Sequence, residues 1–274
     1  MASNRSAAGL TRGFNLQRLS NRIAVFGWLS SFVLFLGIAV VWDWMSYPQT
    51  VTSSAVVFMG WAIGRELDPD RPHVATATMA LALGLVFVSI PAGIVVYSSL
   101  MALRMVSGTT GRALAEIDLV LVAAVGFGSG GTIWAWPIGL VAFAWLKTAP
   151  EVGRLRWFAI GALGGGFAVG WYLQDGSLGR IDITLETVVI MVGAAVVTAI
   201  GVLSASVTGR NDARSGLLDL RRLRLSRIAA GLFVAAAALA GGTDAFWQIG
   251  AVSAGIIASA AASAGRALRR PSDQ

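Results

Sequence analysis

The chain has 274 residues, of which 56% are hydrophobic and 13% are charged, and its formal net charge is +7 at pH 7. Soluble domains carry about 25% charged residues, and the mean hydropathy of this chain is +0.72. The composition therefore excludes an ordinary soluble domain and predicts an integral membrane protein without a separate globular domain. Cysteine is absent, which excludes disulfides, thiolate nucleophiles and cysteine metal sites.

The first part of the chain predicts a basic segment followed by a retained membrane helix. Four arginines lie within residues 1–22, and an apolar run extends from Ile23 to Trp42. The run is longer than the apolar core of a secretory signal, about 7 to 15 residues, and no small-residue cleavage site follows it. The basic flank predicts a cytoplasmic N-terminus.

Three apolar stretches follow, and the second and third of them permit more than one topology. Ser46 to Gly64 predicts a second span, whereas Val74 to Leu103 and Ile117 to Leu146 are each 30 residues long. Pro91 interrupts the first long stretch, and the glycine-rich segment 126–131 interrupts the second. Each predicts one tilted helix of ~45 Å, two short helices, or a re-entrant hairpin surrounded by protein.

The rest of the chain predicts four further spans, at residues 157–173, 183–206, 228–240 and 246–264. Arginine-rich connections alternate with connections that are nearly free of positive charge, as the positive-inside rule requires. We therefore predict an all-α, polytopic membrane bundle with about eight transmembrane helices and both termini in the cytoplasm. Six helices plus two re-entrant hairpins, or ten helices, are the alternatives.

This topology gives three regions and a location. Residues 1–22 form a cytoplasmic basic segment, residues 23–264 form a single transmembrane domain, and residues 265–274 form a cytoplasmic basic tail. The alternation of charge predicts a multi-pass protein of the cytoplasmic (inner) membrane.

The segment 64–73 has the densest chemistry in the chain, because it holds three alternating carboxylates and the only histidine. Glu66, Asp68 and Asp70 could hold a hard cation such as Mg²⁺, which takes its other ligands from water or a substrate phosphate. His73 could then act as a catalytic acid or base. A helix end followed by a proline-rich turn is the alternative, and we favour it.

Two further patterns suggest surfaces or packing rather than chemistry. Arg221, Arg222, Arg224 and Arg227 alternate with leucines in a predicted cytoplasmic loop, where they could bind anionic lipid or a partner protein or simply fix the topology. The run 126–131 matches a dinucleotide fingerprint but lacks the βαβ context, so it predicts close packing or a broken helix along a ligand path. Gly161 with Gly165, and Gly166 with Gly170, predict helix packing within the chain.

No motif identifies a family; the aspartate patterns of CDP-alcohol phosphotransferases and of membrane prenyltransferases are both absent from the sequence. We expect a non-enzymatic membrane protein, either a small transporter or an accessory subunit of a membrane complex. The alternative is an enzyme that acts on a lipid or isoprenoid phosphate through a metal on the acidic turn. The expected partners are membrane lipids, including anionic ones, and a protein partner or a second copy of the chain, with no nucleic acid and no cofactor except Mg²⁺ under the alternative.

Overall fold

The computed structural model describes residues 16–17, 19–109, 116–129, 155–173, 183–207 and 218–269. This part of the chain is all-helical and contains nine helices and no strand. In chain order they are α1 (Leu19–Trp42), α2 (Tyr47–Leu67), α3 (Pro72–Val86), α4 (Gly93–Ser107), α5 (Glu116–Ser129), α6 (Leu155–Leu173), α7 (Leu185–Leu203), α8 (Leu220–Gln248) and α9 (Gly250–Arg269).

Three of these helices are long and apolar enough to cross a membrane. They are α1 with 24 residues, α7 with 19 and α8 with 29. Shorter apolar helices include α3, α4 and most of α6 and α9. The helix α2, which the sequence predicts as a span, is not among the three, because polar residues such as Gln49, Arg65 and Glu66 lower its hydropathy.

The stretch Val74–Leu103 is not one long helix, and that prediction is wrong. It forms two helices of 15 residues, α3 and α4, which are separated by residues 87–92. Pro91 explains the break, because proline lacks an N–H group and disfavours helical geometry in the residue before it. The structure therefore excludes the single tilted helix for this stretch, while two crossing helices and a re-entrant hairpin both stay open.

The helices α3 and α4 run in opposite directions, and each packs mainly against α2 rather than against the other; we call this helix–turn–helix segment the α3–α4 hairpin. At one end, a Cβ atom on Gly64 would lie 2.7 Å from the Cα atom of Ala75, near the start of α3. Arg104, near the end of α4, pairs with Glu66 at the same end of α2. The chain therefore leaves this end through α3 and returns to it through α4.

Two ends of the bundle can now be named. The acidic-turn end contains residues 68–71, and the hairpin-tip end contains residues 87–92. The ring of Phe87 stacks on Trp44 with the centroids 5.9 Å apart, and Trp44 lies in the connection between α1 and α2. The hairpin tip therefore reaches the level at which α1 ends and α2 begins, on the opposite side of the bundle from the acidic turn.

The helix α8 differs from its prediction in two ways. It begins at Leu220, and the Asp219 carboxylate accepts a hydrogen bond of 2.8 Å from the Arg221 N–H, so residues 220–227 form helical turns rather than a loop. The helix also bends where the sequence predicts a gap between spans, because Gly241 and Gly242 have non-helical backbone angles. The φ of +64° at Gly242 is a conformation that glycine adopts readily.

The helix α2 lies at the centre of the packed core. The helices α1, α3, α4, α8 and α9 all pack against it, and its side chains Val56, Val57, Trp61, Ile63 and Leu67 are buried. Small residues allow the closest of these contacts, as at Gly64 against α3.

The pair α5–α6 packs through glycines. A Cβ atom on Gly126, Gly166 or Gly170 would overlap backbone atoms of the other helix, so the Gly166–Gly170 spacing lies in a contact within the chain. Gly161 and Gly165 instead have nothing within 4 Å of such an atom. Residues 130–154 lie outside the described part of the chain, and they include the whole second half of the predicted Ile117–Leu146 stretch.

Candidate functional site

Glu66 is a buried carboxylate in the last turn of α2, with 0% of its surface exposed. It accepts hydrogen bonds from Arg104 Nε at 3.2 Å and from Ser107 Oγ at 3.1 Å, and a third from Thr109 Oγ1. Arg104 and Ser107 are three residues apart, so they lie on one face of α4. Glu66 thereby joins the ends of α2 and α4.

Asp68 follows directly after α2 and is shared by two arginines. Only 1% of its surface is exposed. Its Oδ2 atom lies 3.3 Å from Arg227 Nη2 and 3.5 Å from Arg71 Nη1. These two contacts bring the first turns of α8 and the start of α3 to the end of α2.

Arg227 lies on the buried face of α8, with 2% of its surface exposed. Its Nε donates a hydrogen bond of 2.9 Å to the carbonyl oxygen of Leu67, and its Nη1 donates to that of Gly201. Both carbonyls lie in the last turns of α2 and α7, where backbone oxygens have no partner within their own helix and a cation is favoured by the helix dipole. One guanidinium group therefore ties three helices together.

Two further arginines extend these contacts. Arg71 Nη2 lies 3.4 Å from Ser263 Oγ on α9, while Arg222 donates to the carbonyl oxygens of Met105 at 2.9 Å and Val106 at 3.0 Å. Arg222 therefore caps the last turn of α4. We call Glu66, Asp68, Arg71, Arg104 and Arg227 the ion-pair cluster.

Burial of this many charges needs a physical reason. Removing ions from water costs several kcal/mol for each ion, and the attraction between them often does no more than offset this cost. In membrane proteins, buried ionisable groups of this kind mark functional sites. The ion-pair cluster is therefore the candidate functional site in the described residues.

The sequence-predicted acidic residues separate in the structure. Glu66 and Asp68 both belong to the ion-pair cluster, whereas Asp70 is half-buried and His73 is exposed. No three carboxylate or imidazole side chains form a group that could hold a metal ion within the described ranges. The arginine partners of Glu66 and Asp68 also compete with a cation for the same oxygens, and Mg²⁺ binding stays a prediction.

The four arginines of the leucine-rich run also separate. Arg221 and Arg224 are exposed, Arg222 is half-buried and Arg227 is buried. Contact with lipid or a partner protein stays a prediction, and the exposure of Arg221 and Arg224 makes these two the side chains available for it. Arg222 and Arg227 bind backbone carbonyls of the same chain instead.

Sequence reasoning named Arg227 only for lipid or partner contact and did not pair Arg104 or Arg227 with the acidic turn, although α8 carries a signal for a buried arginine. Leu223, Ser226, Arg227 and Ala230 are all buried, and their spacing of three and four residues is that of one helix face. An arginine on such a face is a candidate for a buried contact. Assigning residues 220–227 to a loop removed this signal.

An apolar cavity of about 190 Å³ lies between α7, α8 and α9. Val197, Val234 and Ile256 are among its lining residues. Its polar lining includes Ser253, whose buried Oγ has no hydrogen-bond partner among the described residues. The cavity lies one to two helical turns along α7 and α8 from Gly201 and Arg227, on the hairpin-tip side of the cluster.

Comparisons of the chain with protein families, with curated proteins and with solved structures give no match. The fold and the site define the class of a helical protein with segments that can cross a membrane. A more specific function must be argued from the chemistry of the site.

Proposed function

We propose that the protein is a non-enzymatic, multi-pass protein of the cytoplasmic membrane that acts as a small transporter. One observation carries the proposal. Ion pairs join the helices at the acidic-turn end of the bundle, whereas interrupted helices meet at the hairpin-tip end. At the hairpin-tip end, the Ala92 N–H donates a hydrogen bond of 3.1 Å to the Gln248 carbonyl, at the end of the bent helix α8. Interrupted helices line the substrate path in many transporters.

In this proposal the ion-pair cluster is the gate at the other end. The ends of α2, α4 and α7 and the starts of α3 and α8 are joined there by side-chain contacts, which can exchange partners without moving the apolar core. Opening this end requires Arg227 to leave Leu67, Gly201 and Asp68. We place this end in the cytoplasm, because the exposed Arg221 and Arg224 lie on the same end of α8 and positive charge favours that side.

Swelling of proteoliposomes tests transport without knowledge of the natural substrate. The purified chain is reconstituted, and light scattering is followed after iso-osmotic addition of glycerol, glycine or potassium phosphate as neutral, zwitterionic and anionic probes. We expect faster swelling than in empty liposomes for at least one probe, and a changed rate for Glu66→Gln but not for Asp70→Asn. Equal rates in protein-containing and empty liposomes for all three probes would contradict the proposal.

The accessory-subunit function is favoured by a different observation, the apolar surface of α7. Only 11% of its most apolar window is buried, and Val189, Val192 and Val196 are exposed. This face is available to lipid or to a helix of a partner protein. A partner that co-purifies in fixed ratio from native membranes, together with an absence of swelling, would favour this function over transport.

The enzymatic alternative makes a separate demand on the cluster. A metal held by Glu66, Asp68 and Asp70 would require the first two carboxylates to exchange arginine contacts for metal contacts. Titration calorimetry with Mg²⁺ tests this directly on the wild-type chain and on the Asp68→Asn and Asp70→Asn variants. Binding that both substitutions abolish would support the metal site, and His73→Gln would then test proton transfer; unchanged heats would exclude the site.

A further inference from the structure

Arg71 is a buried cation whose donors are incompletely satisfied. It lies immediately before α3, and 8% of its surface is exposed. Its Nη2 lies 3.4 Å from Ser263 Oγ, but its Nε and Nη1 atoms have no hydrogen-bond partner among the described residues. A guanidinium group has five N–H donors in a fixed planar arrangement, and buried donors are normally paired.

Arg227 presents a second donor at the same place. Its Nη2 has no hydrogen bond in the described part of the chain, although it lies 3.3 Å from Asp68 Oδ2. The Nη1 of Arg71 lies 3.5 Å from the same oxygen, so two guanidinium groups converge on one carboxylate. The five residues of the ion-pair cluster are three arginines and two carboxylates. Together they carry an excess of positive charge in a buried position.

The start of α3 adds to this field. Arg71 occupies the N-cap position, and no side chain accepts a hydrogen bond from the first turn of α3. The N-terminus of a helix carries partial positive charge and favours anions. The neighbouring Pro72 and His73 are exposed, and Arg71, with 8% of its surface exposed against 2% for Arg227, is the more accessible of the two arginines.

We propose that the acidic-turn end binds a phosphate-type oxyanion through the free donors of Arg71, next to Arg227 and the Asp68 carboxylate that the two arginines share. The tetrahedral oxygens of a phosphate group match the paired donors of guanidinium groups, and an anion balances the excess charge of the cluster. Ser263 Oγ contacts Arg71 Nη2 at 3.4 Å and holds the arginine side chain in place. The phosphate comes from inorganic phosphate or from the head group of an anionic phospholipid. This binding site does not depend on transport and would exist equally in an accessory subunit.

The test measures the binding of both sources to the full chain. Thermal unfolding is followed in a neutral detergent with added inorganic phosphate, and in nanodiscs of phosphatidylcholine with or without phosphatidylglycerol. We expect one source to raise the unfolding midpoint of the wild-type chain. Stabilisation by phosphate identifies the free anion, and stabilisation by phosphatidylglycerol alone identifies the lipid head group.

Three variants assign the effect to the cluster. Arg71→Gln removes the donors and should weaken binding at least about tenfold, whereas Arg71→Lys keeps the charge, loses the planar fork and should weaken it less. Arg221→Gln removes an exposed arginine and serves as the matched control, with unchanged binding. If Arg71→Gln does not fold, Arg71→Lys carries the comparison.

Two results would overturn the proposal. The first is no stabilisation of the wild-type chain by either phosphate source. The second is stabilisation of the Arg71 variants equal to that of the wild-type chain. Both are independent of the swelling of liposomes with glycerol or glycine, so failure of the anion site and failure of transport can be told apart.

Discussion

Asp68 is the single side chain that two buried arginines of the ion-pair cluster share. Replacing it by asparagine keeps the shape but removes the charge that Arg227 and Arg71 face at 3.3 and 3.5 Å. Breaking a buried pair from one side costs about 3–5 kcal/mol, because the remaining ion stays buried. We expect Asp68→Asn to lower the thermal unfolding midpoint in detergent strongly.

The half-buried Asp70 provides the control for this change, since it lies two residues further along the same turn. Charge contacts of more exposed groups contribute about 0–1 kcal/mol. Asp70→Asn should therefore shift the midpoint little. Equal shifts for the two variants would show that the charge of Asp68 is not a particular source of stability.

The Glu66–Arg104 pair tests whether the cluster stabilises the fold or serves another purpose. Glu66→Leu removes the carboxylate that lies 3.2 Å from Arg104 Nε. We expect this change alone to lower the free energy of unfolding by about 3–5 kcal/mol. The double variant Glu66→Leu, Arg104→Met removes both charges, and such replacements are often neutral or stabilising.

We expect the double variant to unfold at a higher temperature than Glu66→Leu and to lose any solute-specific swelling. Unfolding midpoints and swelling rates of the same preparations check both parts. A double variant that is less stable than Glu66→Leu would indicate that Arg104 contributes through other contacts, and the coupling between the two sites would then have the opposite sign.

At the scale of helices, the contact between α5 and α6 offers a test with adjacent glycines. A Cβ atom on Gly166 would overlap the carbonyl oxygen of Ala123, whereas one on Gly165 meets nothing within 4 Å. Gly166→Ala must therefore separate the two backbones, at a cost of about 1–3 kcal/mol. Gly165→Ala gains helix propensity and should be neutral or stabilising by up to about 1 kcal/mol.

Unfolding midpoints of the two alanine variants measured side by side check this expectation, since both carry the same chemical change one residue apart. A destabilising Gly165→Ala together with a silent Gly166→Ala would place the helix contact on the other face of α6.

The helices that the sequence predicts well are those whose limits are set locally. The helices α1, α6 and α7 follow continuous apolar runs, and the capping box formed by Ser46 and Gln49 marks the start of α2. The α3–α4 hairpin is different, because Pro91 indicates a break but not whether the chain reverses there. That choice depends on Arg104 meeting Glu66, a contact between residues 38 positions apart.

The candidate site shows the same division between local and distant causes. The acidic turn stands out in the sequence because its residues are adjacent, and two of its three carboxylates belong to the cluster. Their partners, Arg104 and Arg227, are separated from the turn by whole helices. Since arginines near helix ends also serve as topology signals, composition alone could not distinguish a buried arginine from an exposed one.

For the molecule as a whole, the two ends of the bundle differ in how they are held together. The acidic-turn end is joined by charges, whereas the contacts at the hairpin-tip end include the packing of Phe87 against Trp44 and Phe35 and a backbone hydrogen bond from Ala92 to Gln248. If the acidic-turn end faces the cytoplasm, the hairpin tip faces the other side of the membrane. This orientation decides which end meets cytoplasmic phosphate.

Labelling of single cysteines tests the orientation, and the natural absence of cysteine makes the chain its own background. Val88 at the hairpin tip and His73 beside the acidic turn are both exposed, so Val88→Cys and His73→Cys should leave the fold intact. We expect a membrane-impermeant maleimide to label Val88→Cys in spheroplasts and His73→Cys only in inverted vesicles. Labelling of the unfolded, solubilised protein is the control, because both thiols are then fully accessible to the maleimide.

If His73→Cys were labelled in spheroplasts and Val88→Cys only in inverted vesicles, the orientation of the bundle would be the opposite one. The ion-pair cluster would then lie on the side away from the cytoplasm. Labelling of His73→Cys in inverted vesicles with no labelling of Val88→Cys in spheroplasts would mean that the hairpin tip stops within the bilayer. In that case α3 and α4, at about 22 Å each for 15 residues, would be re-entrant, which is tolerated only where surrounding helices cover their ends. The backbone hydrogen bond from Ala92 to Gln248 provides such cover, so the labelling pattern at Val88 distinguishes a hairpin that crosses the bilayer from one that lines a cavity inside it.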